Sequence, residues 1–128
     1  MRTAPATIAF LAILAGCSTA RHAPMRPAPI THLVLFTLAD PADIDAFIAD
    51  ADAALPAIPG VESYSCGRPL DTGRAVVSGD YDIACSFGFA TVAAYESYLA
   101  HPDHQRLVEA WRDRIASMRV YDFADATP

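Results

Sequence analysis

From residue 30 onward the apolar and polar positions alternate in an orderly way. Ile30-Thr31-His32-Leu33-Val34-Leu35-Phe36-Thr37-Leu38 is a β-rich apolar run. It predicts a strand covered on both faces, with His32, Val34, Phe36 and Leu38 on one side and Leu33 and Leu35 on the other. Asp40 suits a helix N-cap, Pro41 the first helical position, and Asp43 the anion-favouring first turn. Ile44, Phe47, Ile48, Ala51 and Leu55 then recur at helical spacing, with Asp45, Asp50 and Asp52 mostly opposite. Pro56 ends that helix, and Ile58-Pro59-Gly60 turns the chain into the next segment.

Val61 to Leu70 predicts a second strand, and Asp71 to Asp80 a flexible hairpin connection. In the third strand, Tyr81 to Phe89, residues Tyr81, Ile83, Cys85, Phe87 and Phe89 share one face. Thr91 caps a second helix whose stripe of Val92, Tyr95 and Leu99 is broken at His101-Pro102. Leu107, Val108, Trp111, Ile115 and Met118 resume the stripe. A short last strand, Arg119 to Phe123, and a tail, Ala124 to Pro128, complete the chain. The order β-α-β-β-α-β is that of an α+β, ferredoxin-like protomer with a four-stranded antiparallel sheet and both helices on one face. Because Tyr, Phe and Leu occur on both faces of the strands, the uncovered face calls for a partner, most simply a second copy in a homodimer.

The first 29 residues follow a different pattern. Met1-Arg2 forms a short positive region, and Ile8-Ala9-Phe10-Leu11-Ala12-Ile13-Leu14 an apolar one. It is too short to span a hydrocarbon layer of ~30 Å, which needs ~20 residues. Leu14-Ala15-Gly16-Cys17 resembles the bacterial lipobox. Residues 1–16 are therefore expected to be a lipoprotein signal peptide, and Cys17 the lipidated first residue of the mature chain. Acyl chains contribute ~0.8 kcal/mol per buried CH₂, so the two or three on a lipoprotein anchor it durably to membrane lipid. Residues 17–29, with Pro24, Pro27 and Pro29, form an extended linker of roughly 3.1 Å per residue. Arg21 and Arg26 either touch anionic head groups or stay solvated. The expected location is the bacterial cell envelope, facing the periplasm or the exterior.

Composition refines this picture. The chain has 128 residues and 53% hydrophobic content, yet its unbroken apolar stretch precedes Cys17, so residues 30–123 are expected to form one ordinary folded domain. Without the signal, eight Arg face fifteen Asp and Glu, formally about −7. Such a surface repels phosphate and excludes nucleic acid as a partner. Of the three cysteines, Cys66 and Cys85 remain after lipidation, on adjacent predicted strands in an oxidising compartment. They form either a cross-strand disulfide or two small buried hydrophobes, depending on whether the register opposes them directly.

His32-Leu33-Val34-Leu35-Phe36, Ile58-Pro59-Gly60-Val61, Tyr81-Asp82 and Tyr98-Leu99-Ala100-His101-Pro102-Asp103-His104, in this order and spacing, resemble the Dabb, or stress-responsive α/β-barrel, family. The resemblance covers about residues 30 to 123. It implies a ferredoxin-like protomer, pairing of two sheets into a dimeric α/β barrel, and a cavity between sheet and helices. Most members have no assigned activity. Plant members include a polyketide cyclase in which a His and a Tyr near this position perform an aldol-type ring closure without metal or cofactor.

Carried over, this makes His104 the candidate general base and Tyr98 the group that orients or polarises a carbonyl. His32, Tyr81 and His101 are candidate binding residues. The alternative is structural: His101 and His104 cap or bridge the interrupted helix while Tyr98 fills the core. A metal reading, with His101 and His104 at i,i+3 and His32 as third ligand, has no companion motif, and Pro102 disturbs the face, so neither metal nor cofactor is expected. No Ser-His-Asp signature and no Gly-rich phosphate loop occurs. Two functions follow: a lipid-anchored, dimeric module that binds a small apolar ligand without catalysis, or a cofactor-independent cyclase or monooxygenase-type enzyme using His104 and Tyr98.

Overall fold

The computed structural model describes residue 26 and residues 28–126. The signal peptide, Cys17 and most of the linker lie outside them. Strand β1 (Ile30–Leu38) leads through a 3₁₀ turn into helix α1 (Ile44–Ala54), then β2 (Ser63–Gly67), β3 (Ile83–Phe89), α2 (Val92–Ala100), α3 (Pro102–Trp111), a second 3₁₀ turn and β4 (Ile115–Ala124). The sheet order is β2-β3-β1-β4 with every neighbour antiparallel. This is the ferredoxin-like α+β arrangement that the order of elements predicts.

Local chemistry accounts for the starts of the 3₁₀ turn that leads into α1 and of α2. The Asp40 carboxylate accepts from the Ala42 amide at 2.9 Å, and the Thr91 hydroxyl accepts from the Ala94 amide at 3.1 Å. Each satisfies a donor that the first helical turn leaves open. His101 divides α2 from α3. It is extended, as the residue before a proline prefers to be, and Pro102 opens α3 where its missing N–H costs nothing.

On the helix side of the sheet, Ile83, Cys85, Phe87 and Phe89 of β3 are buried against Phe47 and Ala51 of α1, Tyr98 of α2 and Trp111 of α3. At 25 cal/mol per Å² of apolar surface, each such large side chain contributes about 1.5–3 kcal/mol. The other side of the sheet carries Leu33 and Leu35 paired with Tyr121 and Arg119, and the small Ala84, Ser86 and Gly88. Tyr121 and Phe123 there are half exposed.

Several boundaries differ from the sequence reading. The last helix ends at Trp111, not Met118. Arg112–Arg114 wind as a 3₁₀ turn, and Ile115 and Met118 lie on β4, which runs the full length of β1. Arg114 holds the turn, since its guanidinium stacks 3.8 Å over Trp111 and pairs with Asp43. The spacing of four and then three is helical, but a register shift at Thr37/Leu38 lets both Ile115 and Met118 join the ladder, and the unused edge of β1 decides for the strand. The second strand is only Ser63–Gly67, and the third starts at Ile83, with Asp82 closing the end of the β1–β3 ladder. The Asp82 amide donates to Phe36 O, and its carboxylate accepts from the Leu38 amide at 2.8 Å.

In the β2–β3 ladder, Cys66 stands directly opposite Cys85 with 4.1 Å between their Cα atoms, and a disulfide joins them. The bridge ties the edge strand to the core across a sequence separation of 19. In the chain-entropy account, closing such a loop is worth about 3 kcal/mol. Alkylation and peptide mapping of unreduced protein should leave Cys66 and Cys85 unmodified, and Cys66→Ala should lower unfolding free energy by about that amount. Two reactive thiols in the native protein would refute the bridge.

Candidate active site

A cavity of about 450 Å³ lies between the helix side of the sheet and the three helices. The β1–β4 register builds its floor from the directly opposed pairs Phe36 with Met118 and Val34 with Val120, and ends it at His32, whose β4 partner is Asp122. The floor therefore changes from apolar to polar over four residues of β1, roughly 13 Å at strand rise. Phe47 of α1, Leu55 just after it and Trp111 of α3 wall the apolar end, while Tyr95, Tyr98 and His104 gather near His32.

At the polar end, the His32 imidazole is buried and its Nδ1 lies 2.6 Å from Asp122 Oδ1. The Tyr95 hydroxyl donates to Asp122 Oδ2 at 3.0 Å and sits 3.2 Å from His32 Nδ1. The His32 ring is 5.0 Å from that of Tyr95 and 6.3 Å from that of Tyr98.

The break at Pro102 brings the second pair together. With α3 restarted on a new axis, the His104 ring packs 4.6 Å from the Tyr98 ring, and its Nδ1 lies 3.1 Å from Leu99 O. A carbonyl only accepts, so Nδ1 is the donor and carries the proton. In the neutral imidazole Nε2 is then the unprotonated nitrogen. Burial lowers the His104 pKa below its usual 6.5, the bond to Leu99 opposing this and repulsion from His32, whenever that ring is protonated, adding to it. Neutral imidazole is thus the form present at pH 7. Burial raises the Tyr98 phenol well above the ordinary range, helped by the charge of Tyr95, so Tyr98 stays a hydroxyl. Among the described residues no other group hydrogen-bonds to that hydroxyl, which leaves it free for a ligand. The Tyr95 phenol is pushed up to about 12 by burial and by its bond to Asp122.

Of the residues singled out from sequence, His32, Tyr98 and His104 converge on this cavity. The candidate binding residues Tyr81 and His101 do not line it, and the sequence reading is corrected there. Tyr81 precedes β3 at the far end of the sheet. His101 caps α3, its Nδ1 accepting from the Asp103 amide at 3.2 Å, which removes it from any shared site with His104. No group of three or more His, Cys, Asp or Glu placed to hold a metal ion occurs among the described residues. Sequence reasoning missed Tyr95 and Asp122. Tyr95 reads as a core position in a helical stripe, and Asp122 as a polar residue in a terminal strand. Only the β1–β4 register places Asp122 beside His32.

A four-stranded antiparallel sheet, backed by helices on one face and enclosing an apolar cavity with a few convergent imidazole and phenol groups, defines a ferredoxin-like α+β protein with an internal cavity. Residues 30–125 match the family model of the stress responsive A/B barrel domain, Dabb, and the chain belongs to that family. It is similar to a Dabb family protein with a ferredoxin-like fold from Mesorhizobium loti, at 30% identity and TM-score 0.65 over 77% of this chain and 97% of that one. A dimeric ferredoxin-like protein of unknown function from Thermobifida fusca is 26% identical, with TM-score 0.63 over 75% and 90%. The hydroxynitrile lyase of Passiflora edulis shares the fold, at 19% identity and TM-score 0.63 over 80% and 99%. No functionally curated protein matches the chain by sequence.

The lowered His104 pKa predicts a pH effect with a definite sign. Between that value and 6.5 the unfolded chain binds more protons at this site than the folded chain, so stability rises with pH across that window and falls on acidification through it. An NMR titration should place His104 below 6.5. A midpoint above 6.5 would contradict the desolvated base described above.

Proposed function

We propose that this protein is a lipid-anchored, homodimeric Dabb protein whose cavity binds a small, mostly apolar carbonyl compound and transfers a proton on it without a cofactor. The observation that carries this reading is the His104–Tyr98 pair. It sets a desolvated, neutral imidazole beside a protonated phenol on the wall of an otherwise apolar cavity. His104 Nε2 takes the proton from the carbon next to the carbonyl. The Tyr98 hydroxyl donates to the carbonyl oxygen, where the enolate charge collects, and low local dielectric strengthens that bond. The enolate carbon is then free to form a bond, as an aldol-type ring closure requires, and the proton held on His104 is available for return to the product.

Homodimer formation is supported by the half-exposed Tyr121 and Phe123 beside Leu33 and Leu35 on the uncovered face of the sheet, and by the dimeric description of the Thermobifida fusca neighbour. The lipobox-like Leu14-Ala15-Gly16-Cys17 supports envelope anchoring through Cys17. No helix among the described residues is long and apolar enough to cross a membrane, which is compatible with attachment by lipid.

The catalytic part is tested with enolisable ketones deuterated beside the carbonyl, following loss of deuterium by NMR. Removing a positioned general base typically costs 10²–10⁴ in rate, so His104→Ala should exchange at least about 100-fold more slowly with little change in thermal midpoint. Equal rates in both proteins would leave a ligand-binding module without catalysis. For the anchor, Cys17→Ser should release the domain from the membrane fraction or block processing. Normal processing with full membrane retention would count against it.

A further inference from the structure

We infer that Tyr95 is a positioning residue for the cavity: by holding the Asp122 carboxylate against His32, it sets which nitrogen of that imidazole faces a ligand. The inference rests on the proposed use of the cavity but on different atoms from the His104–Tyr98 pair.

Asp122 lies on the edge strand β4, and its side chain is 45% exposed. A half-exposed carboxylate on an edge strand has water as an alternative partner for both oxygens, and a single contact to an imidazole pins only one of them. Tyr95 supplies the second contact. Its hydroxyl has one proton, and the 3.0 Å approach to Oδ2 uses it. The remaining lone pairs of that hydroxyl oxygen then face His32 Nδ1 at 3.2 Å.

Both neighbours of Nδ1 are therefore oxygen acceptors at 2.6 and 3.2 Å. An unprotonated Nδ1 would set its lone pair against a carboxylate and a phenol oxygen at once, so this geometry requires a proton on Nδ1. In the neutral imidazole that leaves Nε2 as an acceptor, on a side chain that lines the cavity and packs 5.7 Å from Phe87 and 6.3 Å from Tyr98. The three side chains come from three elements, β1, β4 and α2, so the arrangement also registers α2 against the sheet. A ligand hydroxyl or enol would meet an acceptor at His32 and a donor at Tyr98, which gives the polar end of the cavity a direction.

The test is the ¹⁵N NMR spectrum of the imidazoles in the uniformly labelled full chain, which distinguishes Nδ1–H from Nε2–H. The wild type, followed as a function of pH, is expected to show the neutral His32 ring as the Nδ1–H form. Asp122→Ala provides the reference for a His32 with no carboxylate partner. Tyr95→Phe keeps the ring volume and removes only the hydroxyl; it should move His32 most of the way to that reference, while His104, held by Leu99 O, keeps its Nδ1–H signal. A Tyr95→Phe spectrum in which His32 is unchanged overturns the inference, and does so whether or not the thermal midpoint falls, since a purely packing role would lower the midpoint alone. A His32 that is Nε2–H in the wild type overturns it as well. Because the readout is a tautomer and not turnover, a His104→Ala protein with undiminished exchange would defeat the catalytic proposal and leave this measurement standing.

Discussion

The position of β1 at the centre of the sheet is the constraint on which the remaining structure depends. It is paired along its length with β3 on one side and β4 on the other, so its register determines both faces at once. Side chains along a strand alternate between faces, and a slip of one residue would carry His32, Val34, Phe36 and Leu38 to the outer face. The buried Val34 and Leu38 hold the register, since exposing them would cost a few kcal/mol of apolar burial. His32 is thereby carried into the interior, and the carboxylate that accompanies it arrives on the neighbouring strand.

Burial of a polar imidazole is tolerable only if its nitrogens find partners. Asp122 answers that need at Nδ1, and Tyr95 steadies Asp122. The same logic governs His104, whose Nδ1 is answered by Leu99 O. Each imidazole thus spends one nitrogen on the protein, and each belongs to the wall of the cavity. The apolar end, with Phe36, Phe47 and Trp111 packed at ring separations of 4.8 and 5.1 Å, is rigid aromatic packing of the kind that excludes water and strengthens electrostatic contacts nearby.

The interruption at His101-Pro102 has a comparable role for the second helix. An unbroken helix would set Tyr98 and His104 six residues and more than a turn and a half apart, on divergent faces. Ending α2 at Ala100 and restarting at Pro102 lets the two rings meet, while His101 is used up in capping the new start. The His-Pro-x-His segment therefore contains one structural and one cavity-facing histidine, and their roles are assigned by the break and not by residue type.

By itself the sequence determined the elements and their order. Alternation in Ile83 to Phe89, the Asp40 and Thr91 caps and the proline break are local signals, and local geometry is what propensity and periodicity report. The family resemblance, and not periodicity, points to His32, Tyr98 and His104, with Tyr81 and His101 beside them although they do not line the cavity. Tertiary structure alone decided the remainder. Residues 111 to 118 carry a helical spacing that the free edge of β1 overrides from Ile115 onward. Cys66 and Cys85 could bridge only if the β2–β3 register opposed them, and Asp122 became a partner of His32 only through a pairing 90 residues distant in sequence. Such pairings depend on which backbone groups and apolar faces remain unsatisfied once the other elements are in place, and no local pattern encodes that.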